Sequence, residues 1–166
     1  MITLKFPRTR GLRGVHYRLP DHIQVLLRQY RQRTKQNEMG GVLAGWMSQK
    51  CLSDVWTISH FSLPSQDHQA GPRWFQLNRW VAQDFIDELF VASSGTVYFS
   101  GFWHTHPEPH PSRSRPDERV IHDLFRNSRL EISTQLGIIV GNQGSLYAWC
   151  QRADGRISEL PNNRLF

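Results

Sequence analysis

Two histidines and an aspartate near the middle of the chain have the types and spacing of metal ligands. The sequence reads His-Thr-His-Pro at 104–107 and, after six further residues, Ser-Arg-Pro-Asp at 114–117. A hydrolytic zinc site takes three protein ligands and leaves one position open for water. We therefore expect His104, His106 and Asp117 to bind one zinc ion.

The local sequence indicates how these ligands would meet. Segment 96–103 predicts a strand that runs into the histidines, and side chains two residues apart on a strand face the same side. Pro116 predicts a helix start that brings the Asp117 carboxylate, in the first turn, back toward the strand end. Ser114 followed by Asp117 is equally typical of an ordinary helix cap with an acidic first turn, so both interpretations stand at this point.

Glu38 is the candidate for the base that such a site needs. Zinc lowers the pKa of bound water from about 16 to about 7, and the released proton requires an acceptor. Glu38 stands just before the glycine-rich, apolar segment 40–46, where an acidic residue gains little structurally. The alternative is a solvated glutamate near a helix end.

Composition predicts one folded domain over residues 1–166. Hydrophobic residues make up 39% and charged residues 20% of the chain, which is ordinary globular usage. Only two cysteines occur, which excludes a disulfide framework and a four-thiolate zinc site. Without a signal peptide or an apolar run of membrane-spanning length, we expect a cytoplasmic protein with no membrane contact.

The net charge of +6 favours an acidic partner of some kind. Helical periodicity from Asp21 onward places Arg28, Arg31 and Lys35 on one stripe of a predicted helix. A solvated helix face is the favoured interpretation of this stripe, and nucleic acid is disfavoured as a partner although it stays a hypothesis.

The remaining elements predict an α/β or α+β domain with a single mixed sheet flanked by helices. Asn78 is expected to cap a second helix, and residues 65–73 are expected to form a loop. Strands are predicted in six segments: 2–6, 14–19, 40–46, 55–61, 135–140 and 145–151. His110, between two prolines, is interpreted as a solvent-facing loop residue.

Other hydrolase signatures are absent from the sequence. It contains no His-Glu-x-x-His, the helix-borne metalloprotease motif. Nor does it contain the His-x-Glu and Pro-Cys-x-x-Cys pair of nucleobase deaminases, or the Gly-x-Ser-x-Gly elbow of serine hydrolases.

Glu38 together with the 104–107 and 114–117 motifs resembles the JAMM motif of the JAB, or MPN-plus, metalloprotease family. Similarity to bacterial members runs from about residue 20 to 150. The resemblance implies a curved mixed sheet of cytidine-deaminase-like architecture and a zinc isopeptidase or peptidase. It implies that Glu38 acts as general base and then acid, that Ser114 helps to hold the tetrahedral oxyanion, and that hydroxide attacks the amide carbonyl.

Among bacterial members, size and layout resemble the stand-alone deconjugating peptidases of antiphage operons, notably CBASS. That resemblance implies a substrate protein joined through its C-terminal tail, a cGAS-like nucleotidyltransferase, and ubiquitin-like conjugation enzymes of the same operon as partners. The alternative substrates are a bacterial ubiquitin-like modifier and a sulfur-carrier protein. A noncatalytic binding scaffold is the alternative of another class.

Overall fold

A computed structural model of the protein describes residues 1–6, 13–127 and 132–159, without the side chains of Leu124, Phe125 and Asn127. Residues 7–12, which separate the first two predicted strands, lie outside the described part of the chain. In the described part, ten strands and three helices follow one another as β1 (Ile2–Phe6), β2 (Gly14–Leu19), α1 (Asp21–Gln29), β3 (Gly40–Gln49), β4 (Ser53–Phe61), β5 (Gln69–Gly71), β6 (Trp74–Gln76), α2 (Arg79–Ala92), β7 (Tyr98–Thr105), α3 (Arg115–Asn127), β8 (Thr134–Val140), β9 (Leu146–Arg152) and β10 (Ile157–Glu159).

Eight of these strands form one mixed sheet in the order β1-β2-β4-β3-β7-β8-β9-β10. The β2–β4 and β7–β8 pairs are parallel, and the other pairs are antiparallel. The register shifts between Leu43 and Ala44, where β3 pairs with β7, and such bulges increase the local twist. The mixed α/β sheet predicted from the sequence is confirmed.

Helices cover both faces of this sheet. Ile23 and Leu27 of α1 pack into the larger apolar cluster with Leu4 and Tyr17. On the opposite face α2 and α3 cover separate clusters, and Ile121 of α3 is completely buried. Among the described residues no helix is long and apolar enough to cross a membrane.

Two local predictions were wrong. The first helix ends at Gln29, so Arg31 and Lys35 follow it rather than extend its polar stripe. Gln24, a polar residue of this helix, is buried, and its amide donates to Leu19 O at 2.8 Å, just before the helix begins. The 65–73 segment is not all loop, because β5 pairs with β6 in a short hairpin. Asn78, in contrast, caps α2 as predicted, accepting from Trp80 N at 3.0 Å.

Candidate metal centre

The predicted ligands meet at one end of the sheet, where β7 leaves it. His104 is on β7 and is 2% exposed, and His106 follows the strand with its backbone N–H donating to Val140 O of β8 at 3.0 Å. The two Nε2 atoms lie 3.0 Å apart. Asp117 Oδ1 lies 3.1 Å from His104 Nε2, and Asp117 Oδ2 lies 3.7 Å from His106 Nε2.

These separations fit a tetrahedral metal ion. Two ligand atoms each about 2.0–2.1 Å from zinc are about 3.3 Å from each other, and the three observed separations bracket that value. Two imidazole nitrogens and a carboxylate are also the donor set of a catalytic zinc site. His104, His106 and Asp117 therefore fit a zinc ion in both geometry and chemistry.

Asp117 is a capping residue as well as a candidate ligand. Its Oδ2 accepts from the Ser114 backbone N–H at 2.6 Å and from the Ser114 hydroxyl at 2.8 Å. Asp117 is the third residue of α3, and Ser114 is the N-cap of this helix. A side chain at the third position that accepts from the N-cap backbone N–H forms one half of a capping box. The two sequence interpretations of this pattern are therefore compatible, because the cap orients the carboxylate whose other oxygen faces His104.

Glu38 enters the site from the neighbouring strand. Gly40, at the start of β3, pairs with His104 of β7, which brings the preceding Glu38 beside the histidines. The ligand atoms of Glu38, His104 and His106 all lie within 4.8 Å of one another, so Glu38 is near enough to be a donor itself. The Asp117 oxygens lie 3.1 and 3.7 Å from the histidine nitrogens, which favours Asp117 as the third ligand and leaves Glu38 beside the metal position.

Backbone contacts hold Glu38 in place. Its N–H donates to Gly71 O of β5 at 2.9 Å. The next residue, Met39, exchanges hydrogen bonds with Thr105, donating to Thr105 Oγ1 at 2.9 Å and accepting from Thr105 N at 2.8 Å. The threonine between the two histidines thus ties the Glu38 segment to the strand that carries the ligands, a role its sequence position does not reveal.

Burial and neighbouring charged groups shift the pKa values of the site residues. Burial raises the pKa of Glu38 to about 8, and Asp117 and Glu108 add to the shift. Burial alone would raise the pKa of Asp117, but contacts with His104 and the Ser114 donors bring it below its usual value. Burial and His104 lower the pKa of His106, which favours the neutral, ligating form. A cation at this position would favour ionised Glu38.

The His104 ring lies against aromatic rings instead of a hydrogen-bond acceptor. Its Nδ1 is buried and has no hydrogen-bond partner within the described part of the chain. The rings of Phe102 and Phe75 are nearly parallel to it, with centroids at 5.5 Å and 6.4 Å and interplanar angles of 2° and 7°. Metal-ligating histidines usually donate that second N–H to a carboxylate or carbonyl. Packing against these two phenylalanine rings, in place of such a hydrogen bond, therefore orients the His104 side chain.

A family model described as prokaryotic homologs of the JAB domain matches residues 20–152. The chain belongs to this family. A relative from Escherichia coli (strain TW11681), described as a CD-NTase/cGAS isopeptidase, is 33% identical over 100 residues, or 58% of this chain and 62% of the relative. The match thus spans less than two thirds of that relative's length.

The solution structure of a protein from Desulfitobacterium hafniense has a similar fold. It aligns with a TM-score of 0.55 and 16% identity, covering 87% of this chain and 88% of that chain. At this identity the likeness concerns the fold alone. Together with the family match, it supports the JAB-domain architecture expected from the sequence.

The JAB-domain site contains residues that sequence reasoning missed. Phe75 belongs to neither ligand motif, yet its ring packs on His104. A side chain on Gly40 would put its Cβ 2.7 Å from Phe75 Cε1 and 2.9 Å from His104 Cβ, so that close approach requires glycine. His110 is exposed, as predicted. The ring of His68 contacts the ring of Phe75 edge-on, with the two centroids 5.3 Å apart. His68 therefore supports the residue that packs on His104.

Proposed function

We propose that this chain is a zinc-dependent isopeptidase or peptidase that hydrolyses the amide or isopeptide bond at the C-terminus of a conjugated protein. The observation that carries the proposal is the convergence of His104, His106 and Asp117, with separations of 3.0, 3.1 and 3.7 Å, beside the buried carboxylate of Glu38. These three residues would hold the zinc ion. A noncatalytic scaffold has no use for an intact donor set next to a buried acid.

Zinc, when bound, supplies a Lewis acid for the amide carbonyl and lowers the pKa of water to about 7. Glu38 then takes the proton from the attacking water and delivers it to the leaving amine. Burial raises the pKa of metal-free Glu38 to about 8 and a nearby cation lowers it again, which suits a group that first accepts and then releases a proton. No covalent intermediate with a side chain is needed.

Ser114 is proposed to donate its hydroxyl to the tetrahedral oxyanion. The hydroxyl points at Asp117 Oδ2 at 2.8 Å, and the backbone N–H of the same residue holds that oxygen at 2.6 Å. The hydroxyl can therefore turn toward an oxyanion while the N–H keeps the carboxylate oriented. Donors aimed at developing charge are worth about 10²–10³ in kcat.

The proposed substrate is a cGAS-like nucleotidyltransferase joined through its C-terminal tail to another protein, within the cytoplasm. Support comes from the Escherichia coli relative, whose description names a CD-NTase/cGAS isopeptidase. Ubiquitin-like conjugation enzymes of the same operon would supply this conjugate. A ubiquitin-like modifier and a sulfur-carrier protein are the alternative substrates, and the same assay separates them.

The test is cleavage of purified conjugates by zinc-loaded protein. A nucleotidyltransferase linked through its C-terminus to a lysine should be cleaved faster than equivalent ubiquitin-like and sulfur-carrier fusions. Glu38→Gln should lower kcat by about 10²–10⁴ while metal analysis shows zinc retained. Glu88→Gln, the same change at an exposed position on α2, is the matched control and should leave kcat unchanged.

Two results would contradict the proposal. Full activity of Glu38→Gln would remove the assigned base, and failure of the wild-type chain to bind zinc would favour the scaffold. Faster cleavage of a ubiquitin-like or sulfur-carrier fusion would keep the mechanism and replace the substrate.

A further inference from the structure

Four exposed cations lie on the two segments of chain that contain Glu38 and its hydrogen-bond partner Gly71. Three of them, Arg31, Arg33 and Lys35, follow the end of α1, and the fourth, Arg73, precedes β6. We call these four residues the basic rim. None of them forms an ion pair within residues 1–6, 13–127 and 132–159.

A buried glutamine joins the two parts of the basic rim. Gln32 is 4% exposed, and its Nε2 donates to Gln36 O at 2.7 Å and to Pro72 O at 2.9 Å. Gln32 stands between Arg31 and Arg33, and Pro72 immediately precedes Arg73. The cations from two distant stretches of chain are therefore held on one surface.

The basic rim is continuous with the candidate metal centre. Gly71, the residue before Pro72, accepts the backbone hydrogen bond of Glu38 at 2.9 Å. Trp74, which follows Arg73, is 51% exposed, and Phe75 then packs on His104. An exposed indole therefore lies in the chain between the cation Arg73 and the ring that packs on His104.

The two stretches of chain that carry the basic rim lack acidic residues. The sequence has no Asp or Glu from residue 22 to 37 or from 68 to 83. The second stretch also carries Arg79, whose guanidinium lies 4.4 Å from the ring centroid of Trp80. Exposed Trp and Arg together are typical of protein-binding surfaces. The cations of the basic rim have no ion-pair partner among the described residues. They therefore create a positive potential that an acidic partner would neutralise.

We propose that the basic rim docks an acidic segment of the protein substrate that flanks the scissile bond. This inference rests on the proposed function, since it adds a recognition surface to the same site. A protein fits better than a nucleic acid, which needs a basic groove that follows its backbone. Here the positive surface stops at the metal centre, where the carboxylates of Glu38, Glu108 and Asp117 would repel phosphates.

The test measures binding of labelled peptides to the full chain by fluorescence anisotropy. One peptide alternates acidic residues with serine, and its counterpart has Asn and Gln at the acidic positions. The rim variant is Arg31→Glu/Arg33→Glu/Arg73→Glu. The matched control, Lys5→Glu/Lys50→Glu/Arg126→Glu, changes the net charge equally at exposed positions away from the rim.

The rim variant should weaken binding of the acidic peptide by at least about tenfold, and the control by less than about twofold. Binding should also weaken as salt rises. Equal losses in both variants, equal affinity for the neutral peptide, or tighter rim-dependent binding of a single-stranded oligonucleotide would each overturn the proposal. Both variants should keep the wild-type melting temperature and zinc content, which excludes misfolding as the cause.

Catalysis separates this inference from the proposed function. On a conjugate with acidic residues beside the scissile bond, the rim variant should raise KM with little change in kcat. Glu38→Gln should bind the acidic peptide as wild type does. Peptide binding that depends on the basic rim, without any cleavage of the conjugate, would overturn the proposed function alone. Cleavage with the same KM in the rim variant as in wild type would overturn this inference alone.

Discussion

The candidate metal centre has two sides that are built differently. The ligand side comes from one short stretch of chain, in which His104 lies on β7, His106 directly follows it and Asp117 lies in the first turn of α3. The base side combines two separate segments, because Glu38 is held by Gly71 of the β5–β6 hairpin and Phe75 of the same hairpin packs against His104. One side is local in sequence, and the other exists only after the sheet and hairpin have formed.

This difference predicts different responses to mutation. Changes on the ligand side should weaken metal binding, because each of the three proposed ligands would supply one donor atom. Changes on the base side should leave the donors in place and alter proton affinity, packing or ligand orientation. The effects below run from the largest expected to the smallest.

Asp117→Ala should produce the largest loss. It removes one of three donors and the acceptor for both Ser114 hydrogen bonds, so zinc affinity should fall by more than about 100-fold. Loss of the cap should also lower the free energy of unfolding by about 1 kcal/mol. Chelator competition measures the affinity, with exposed Asp123→Ala on the same helix as the control. Wild-type zinc affinity in Asp117→Ala would refute the ligand assignment.

Glu38 should make the stability of the metal-free protein depend on pH. The folded protein keeps a proton on Glu38 up to a pKa of about 8, whereas the unfolded chain loses it near 4.5. The folded state therefore binds more protons in this window, and the free energy of unfolding should fall as pH rises through it. The total change is on the order of a few kcal/mol.

Denaturant unfolding across that pH range measures the effect. Glu38→Gln should flatten the curve and be more stable than wild type at the alkaline end. Zinc should also flatten it, because a nearby cation favours the ionised carboxylate. A wild-type curve that already matches Glu38→Gln would show that Glu38 is not buried as described.

Gly40→Ala should disturb the junction of the two sides. The added Cβ would lie 2.6 Å from Trp103 O as well as close to Phe75 and His104. Overpacking of this kind should lower the free energy of unfolding by about 1–3 kcal/mol. Gly14→Ala is the control, since its nearest contact would be 3.6 Å away and its change should stay within about 0.5 kcal/mol. Equal stability of both variants would contradict the close approach.

Phe75→Ala should have the smallest effect. It removes a ring that orients His104 without removing a donor atom, so zinc affinity should fall by about tenfold. Phe90→Ala removes a ring that is 49% exposed on α2 and should leave zinc affinity unchanged. If Phe75→Ala binds zinc as tightly as wild type, packing does not orient His104.

Predictions from the sequence succeeded where they depended on local geometry. Strand alternation, a proline at a helix start and an asparagine cap act over a few residues, and the predicted strands, α2 and the proximity of His104, His106 and Asp117 follow from them. The first helix was predicted too long because the segment after Gln29 is tied to a distant part of the chain, where the Gln32 amide donates to Pro72 O. The β5–β6 hairpin was missed because its strands are three residues each and lack a clear alternation.

The sequence by itself determined that His104, His106 and Asp117 lie close together, because two histidines at a strand end and an aspartate in the first turn of the next helix are linked by a short connection. Tertiary structure decided everything that approaches these three residues from elsewhere. Pairing of β3 with β7 brought Glu38 to the histidines, and the Gln32 amide joined Arg73 to the cations after α1. Such contacts depend on strand order and backbone hydrogen bonds between distant segments, which residue spacing does not contain.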